Sequence, residues 1–213
     1  MSRSISSQWK INGPTKAPTT VILTHGAGAG MDTPFMEFFA QGLADGGLRV
    51  VRFEFPYMAQ RRLGGPKRPP DREEVLRQAW LEVIGQYRVP RLLIGGKSMG
   101  GRIASMIADA AEVAGLVCLG YPFHPVGKPA QTRIEHLRAI KTPTLIVQGT
   151  RDPFGTQNDV ATYPLSASVQ VHWLEDGEHS FKPHKASGRT EAENWQEALT
   201  TIVDFVVGLV LPE

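Results

Sequence analysis

Arg91-Leu92-Leu93-Ile94-Gly95-Gly96-Lys97-Ser98-Met99-Gly100-Gly101-Arg102 is the stretch on which the fold turns. It opens as a short apolar run and passes through the pentapeptide Gly96-Lys97-Ser98-Met99-Gly100. It then continues into a segment, 99–111, whose apolar spacing is helical. A G-x-S-x-G sequence between a strand and a helix has the form of a nucleophile elbow. The chain must reverse sharply there, and the serine takes up a strained backbone position. Side chains two places before and after it are expected to collide across the turn, which favours glycine at both. The Ser98 hydroxyl then stands at a helix N-terminus, where unpaired N–H groups favour developing negative charge.

Two other motifs fail by spacing. A P-loop ending at Gly96-Lys97-Ser98 needs Gly at position 91, which holds Arg91. The run Gly26-Ala27-Gly28-Ala29-Gly30 suggests a dinucleotide loop, with Glu54 near the end of the next strand. The required third glycine would be Met31 or Thr33.

Outward from the elbow, short apolar runs alternate with helical patterns. Strands are expected over 20–24, 48–55, 91–95, 114–120, 143–149 and 169–174. Helices are expected over 34–45, 71–88 (capped by Asp71), 99–111, a short piece at 134–140, and 191–211. This is an α/β pattern, a predominantly parallel sheet with helices on both faces, in one domain spanning 1–213. Right-handed crossovers bring the strand C-termini to one edge, where ligands bind. The connection 121–142 is too short to be a lid domain.

A serine hydroxyl needs a base, and the base needs an orienting acid. Downstream of Ser98, the strand at 143–149 ends and Asp152 follows. The strand at 169–174 ends and His179 follows. All three side chains therefore meet at one sheet edge, in the order Ser, Asp, His. Asp159, in an expected helix, and Asp176, in the turn presenting His179, are weaker candidates for the acid. His136, His172 and His184 read as surface or packing residues. The oxyanion donors are expected to be the N–H groups of Met99 and Ala27. His25 is read as bracing its loop. His25, Gly26, Tyr57, Tyr121 and His124 are the expected pocket residues.

Composition narrows the class. The 213 residues are 41% hydrophobic with a formal net charge of +2, too little excess for a nucleic-acid binder. A basic segment, Arg61, Arg62, Lys67, Arg68 and Arg72 around Asp71, reads as a solvated loop or as a positive rim favouring anionic substrates. The single cysteine, Cys118, lies in an apolar run and reads as a buried strand residue. Residues 1–10 lack the apolar core of a secretory signal, and no run is long enough to span a bilayer, so the expectation is a cytoplasmic protein with no membrane partner.

Taken together, Thr24-His25-Gly26-Ala27-Gly28, Gly96-Lys97-Ser98-Met99-Gly100-Gly101-Arg102, Gly149-Thr150-Arg151-Asp152-Pro153 and Gly177-Glu178-His179 resemble the α/β-hydrolase superfamily, and within it the small lidless dienelactone-hydrolase-like proteins. The resemblance runs from residue 20 to 210. Dienelactone hydrolases proper carry Cys as nucleophile, so Ser98 departs from them. The resemblance implies a serine hydrolase acting on a small acyl ester or thioester, less readily a peptide, with no cofactor or metal. The alternative is a catalytically silent binding or scaffold module on the same fold.

Overall fold

The computed structural model describes residues 9–87, 89 and 91–209. Arg88, where the second long helix was expected to end, and 210–211, at the expected end of the last, lie outside the described residues. Among the described residues, seven strands form one sheet in the order β1-β3-β2-β4-β5-β6-β7. They are β1 (Lys10–Asn12), β2 (Thr19–Thr24), β3 (Arg49–Phe53), β4 (Arg91–Lys97), β5 (Gly115–Leu119), β6 (Thr144–Gly149) and β7 (Val169–Leu174). Only β1 runs antiparallel to its neighbour. The helices are α1 (Pro34–Asp45), α2 (Pro56–Arg62), α3 (Glu73–Ile84), α4 (Met99–Ser105), α5 (Gln157–Val160) and α6 (Glu191–Gly208).

The period-two alternation of the strands sorts the core into two layers. Val21 and Leu23 of β2, Leu93 of β4 and Val147 of β6 pack under α1 and α6. Ile22, Ile94, Cys118 and Ile146 face the other way, against Leu76 and Trp80 of α3 and Ile103 of α4. Cys118 is fully buried, as its apolar run implied. Helices thus cover both faces of a nearly parallel sheet.

After β2 the chain winds outward through α1 to β3. It then crosses back to β4 on the other side of β2 and winds the opposite way to β7. The loops leaving the C-terminal ends of β2 and β4 therefore diverge, and a crevice opens between them. Ser98 sits at its lip.

Several boundaries differ from those the sequence suggests. The helix after the elbow ends at Ser105, not at residue 111. The Ser105 hydroxyl donates back to the Arg102 carbonyl at 2.7 Å, and Met106 and Ile107 bond to carbonyls three residues earlier, tightening the last turn. Asp71 does not cap α3. Its carboxylate accepts from the Tyr57 N–H at 2.9 Å and pairs with Arg68 at 3.1 Å, so it caps the first turn of α2. That helix replaces the start of the expected basic loop. Strand β1 is three mostly exposed residues without apolar alternation, held to β3 by backbone pairing. Between β5 and β6 the described chain inserts only a 3-10 turn, Glu135–Arg138. No described helix is long and apolar enough to cross a membrane.

Candidate active site

Ser98 is the hinge between β4 and α4, with φ 51° and ψ −116°. That left-handed φ is strained for a residue bearing a side chain. The glycines beside it answer chiefly to the neighbouring strand and only partly to the turn itself. A Cβ on Gly96 would overlap the Thr24 carbonyl oxygen at the end of β2, and one on Gly100 would lie 2.7 Å from the carbonyl oxygens of Thr24 and His25. Gly101 meets the Gly96 carbonyl across the turn, at 2.7 Å from an added Cβ. Gly96 and Gly100 therefore leave the face toward β2 free of side chains, so that β2 and its loop can lie against the elbow.

The Ser98 Oγ lies 2.8 Å from His179 Nε2, and His179 Nδ1 lies 2.7 Å from Asp152 Oδ2. Asp152 is fully buried. Its Oδ1 accepts from the Phe154 N–H at 2.9 Å, and its Oδ2 also accepts from Gln148 Nε2 at 3.0 Å. Gln148 holds the Tyr121 backbone as well, accepting from its N–H at 2.7 Å and donating to its carbonyl at 3.1 Å. It thus joins the ends of β5 and β6 beneath the carboxylate. A glutamine inside a strand carries no motif, so nothing in the sequence marks Gln148 for this place. Phe154 packs against the His179 ring at 4.5 Å between centroids.

The turn carrying His179 is pinned from two directions. Asn194 of α6 donates to the Phe181 carbonyl at 2.7 Å, and Trp195 donates to the Ser180 carbonyl at 3.0 Å. Arg151 donates to the Asp176 carbonyl at 3.0 Å. Two non-glycine residues flank the histidine with positive φ, Asp176 at 54° and Phe181 at 73°. Such geometry persists only where surroundings over-determine it.

Opposite His179 lies the loop after β2. A Cβ on Gly26 would sit 3.5 Å from the Ser98 Cβ, so the loop runs directly over the serine. Among the described residues, the Ala27 and Met99 N–H groups donate to no protein acceptor. The loop is held from beneath by side chains. Tyr57 donates its hydroxyl to the Ala27 carbonyl at 2.9 Å. His25 Nε2 accepts from the Phe55 N–H at 3.1 Å, so its proton sits on Nδ1, which donates to the Gly26 carbonyl at 2.7 Å. Burial lowers the His25 pKa and keeps this tautomer neutral. Glu54, 8% exposed, accepts from the Met31 N–H at 3.1 Å and from Arg62 at 2.6 and 2.8 Å. Burial opposes its charge, but Arg62 and that N–H outweigh it and hold the carboxyl below its ordinary range.

A cavity of about 400 Å³ opens at Ser98, walled mainly by Ala27, Phe35, Met36, Lys97, Phe154 and His179. Gly26 also lines it. His25, Tyr57, Tyr121 and His124 do not, and each has a different task. His25 and Tyr57 brace the loop. Tyr121 is buried, with its hydroxyl on the Arg133 carbonyl at 2.9 Å. His124 is buried, bonded to the Pro125 carbonyl at 2.8 Å and facing Asp159 at 3.6 Å. Aromatic residues after strand ends suggested pocket walls, but here their rings turn into the core. Of the two readings for His136, surface or packing, the second describes it: its Nε2 lies 2.7 Å from the Ser105 hydroxyl, and burial, aided by Arg102, pushes its pKa down to about 4. The basic segment is partly neutralised. Arg62 is taken by Glu54 and Asp32, and Arg68 by Asp71; of the other three, Arg61 reaches toward the Gly28 carbonyl at 3.4 Å. Among the described residues no three His, Cys, Asp or Glu side chains converge as a metal-binding group.

A family model described as "Alpha/beta hydrolase domain" matches residues 17–207. A carboxymethylenebutenolidase of Pseudomonas sp. (strain P51) is 32% identical over 90 residues, covering 40% of this chain and only 35% of that protein. A lidless α/β serine hydrolase of Xanthomonas campestris superposes with a TM-score of 0.67 at 20% identity, over 92% of this chain and 88% of that one. Est1E of Butyrivibrio proteoclasticus, solved with ferulic acid, gives a TM-score of 0.70 at 13% identity, over 94% and 95%. A dienelactone hydrolase of Anabaena variabilis gives 0.67 at 19% identity, over 94% and 90%.

Proposed function

The chain belongs to the α/β hydrolase family, and from that premise we propose that it is a single-domain serine hydrolase cleaving small acyl esters through an acyl-enzyme on Ser98. The observation that carries this reading is the unbroken relay from Ser98 Oγ through His179 to buried Asp152, at 2.8 and 2.7 Å. His179 Nε2 removes the hydroxyl proton as Oγ attacks the acyl carbonyl. Asp152 fixes the tautomer with Nδ1 protonated and stabilises the imidazolium that forms. The oxyanion is received by the Ala27 and Met99 N–H groups, which have no competing protein acceptor among the described residues. His179 then gives its proton to the leaving group, and water repeats the sequence to free the acid.

The cavity favours an acyl group with an apolar body, since Phe35, Met36 and Phe154 form much of its wall. Ferulic acid on Est1E, an aromatic acid on a protein of the same fold, is consistent with that. Carboxylic esters are the first class to try and thioesters the second. A fluorophosphonate probe tests the reading on wild type and Ser98→Ala. Label mapped to Ser98, absent from the variant, is the expected result. A folded wild type that takes no label would move the protein to the binding-module class.

A further inference from the structure

One charged group in the cavity wall is not used by the mechanism above. Lys97, the residue before the nucleophile, leaves the end of β4 and turns toward β5 and β7. Its ammonium donates to the backbone carbonyl of His179. Among the described residues no other donor reaches that carbonyl oxygen. The ammonium also lies over the rings of Phe35 at 5.3 Å and Phe181 at 5.9 Å. Gly120, at the end of β5, makes room for it, since an added Cβ there would lie 2.8 Å from Nζ and 3.3 Å from His179 Nδ1. Among the described residues, the other hydrogen bonds that reach the backbone of this turn from outside it come from α6 or from the β6 loop. Beside the His179–Ser98 bond itself, Lys97 is the link between the turn's backbone and the strand that leads into the nucleophile.

We propose that Lys97 is a positioning residue whose charged ammonium sets the distance between His179 and Ser98 by holding the carbonyl of the base to the nucleophile's own strand. This rests on the reading of His179 as the general base. A charge-assisted hydrogen bond is roughly twice as strong as a neutral one, so the tether weakens when the proton leaves. Burial brings the Lys97 pKa down to about 8, against the pull of Asp152 and Glu178, the charged groups that face it. Reactivity at Ser98 therefore declines as pH rises through about 8.

The sign for stability is opposite. A lysine whose folded pKa is depressed binds fewer protons than the unfolded chain between about 8 and its ordinary value of 10.5. Stability therefore rises with pH across that window. Loss of reactivity without loss of stability separates a positioning role from unfolding.

The test is the rate of inactivation by a fluorophosphonate between pH 7 and 9.5, with thermal melting measured in the same buffers. Wild type is expected to slow about tenfold across the range while its melting temperature holds or rises. Lys97→Met is expected to react roughly 10- to 100-fold more slowly at pH 7, with no alkaline decline. Lys97→Arg, which cannot lose its charge, is expected to recover much of the rate and keep it to pH 9.5. The wild-type and arginine profiles decide the matter even if the methionine variant fails to fold. A Lys97→Met rate within twofold of wild type, an unchanged alkaline limb in Lys97→Arg, or a wild-type decline that tracks a falling melting temperature would overturn the proposal. No labelling of wild type at any pH would instead overturn the parent reading of Ser98 and His179, and the proposal with it.

Discussion

The turns that meet Ser98 from the β6 and β7 side bring side chains to it, whereas the loop that meets it from the β2 side brings backbone. On the first side a carboxylate and an imidazole project from strand ends, and the surrounding bonds serve to aim them. On the second side Gly26 and Ala27 pass over the serine with almost no side chain of their own. That loop owes its shape to groups beneath it: Tyr57, His25, Phe55, and the Glu54–Arg62 pair. The difference teaches where to look for vulnerability. One flank depends on its functional side chains, and the other on residues that never touch the cavity.

The largest effect should fall on the side-chain flank. Asp152→Asn keeps the shape but favours the wrong tautomer of His179. In a protease triad the equivalent change costs about 10⁴ in kcat, and a drop of at least 10³ is expected here. Initial rates on an activated acetate ester would measure it. A loss under tenfold would break the comparison, because Asp152 would then be no more than a structural carboxylate.

On the backbone flank, Glu54→Gln removes the charge that holds Arg62 and weakens the grip on the Met31 N–H. A stability loss of about 1–3 kcal/mol is expected in urea unfolding, together with a fall in kcat of about tenfold as the oxyanion donors loosen. Tyr57→Phe deletes a single brace on the Ala27 carbonyl. Its cost in kcat should be only a few-fold, with KM little changed, since a ground-state carbonyl barely uses the oxyanion donors. If it proved as costly as Asp152→Asn, the hydroxyl would have to act on substrate directly.

The smallest expected effect concerns stability alone. His136 and His25 are both held neutral by burial, so the unfolded chain takes up protons that the folded one refuses. For His136 the window runs from its ordinary value of 6.5 down to about 4. Stability should fall as pH is lowered through that window, and His136→Gln should flatten the slope of melting temperature against pH. An unchanged slope would show that other groups govern the acid response.

These two flanks also differ in how far the sequence reveals them. Asp152 and His179 are legible because their chemistry is in the side chain and each follows closely on an apolar run. The sheet is legible for a related reason: Val21, Ile22 and Leu23 point alternately into two buried layers, so the strand reads as an unbroken apolar run. The braces of the β2 loop are not legible. Tyr57, Tyr121 and His124 each follow a strand end, yet only the folded chain decides whether a ring faces cavity or core. The Asp71 carboxylate could cap α3 by its position, and instead reaches α2 across a long loop. Lys97 was visible only as the variable residue of a motif. Its contact with the His179 carbonyl spans more than eighty positions and has no local signature.

The central claim is that Ser98 is a nucleophile activated by the His179–Asp152 pair. It is tested most directly by mixing the protein with a p-nitrophenyl ester, quenching in acid, and recording the intact mass and the modified peptide. The account predicts a stoichiometric acyl adduct on Ser98, formed in a burst and lost on standing at neutral pH. The same adduct should be absent from Ser98→Ala and form very slowly in Asp152→Asn. Turnover without any adduct on Ser98, or an adduct that forms equally fast in Asp152→Asn, would contradict it.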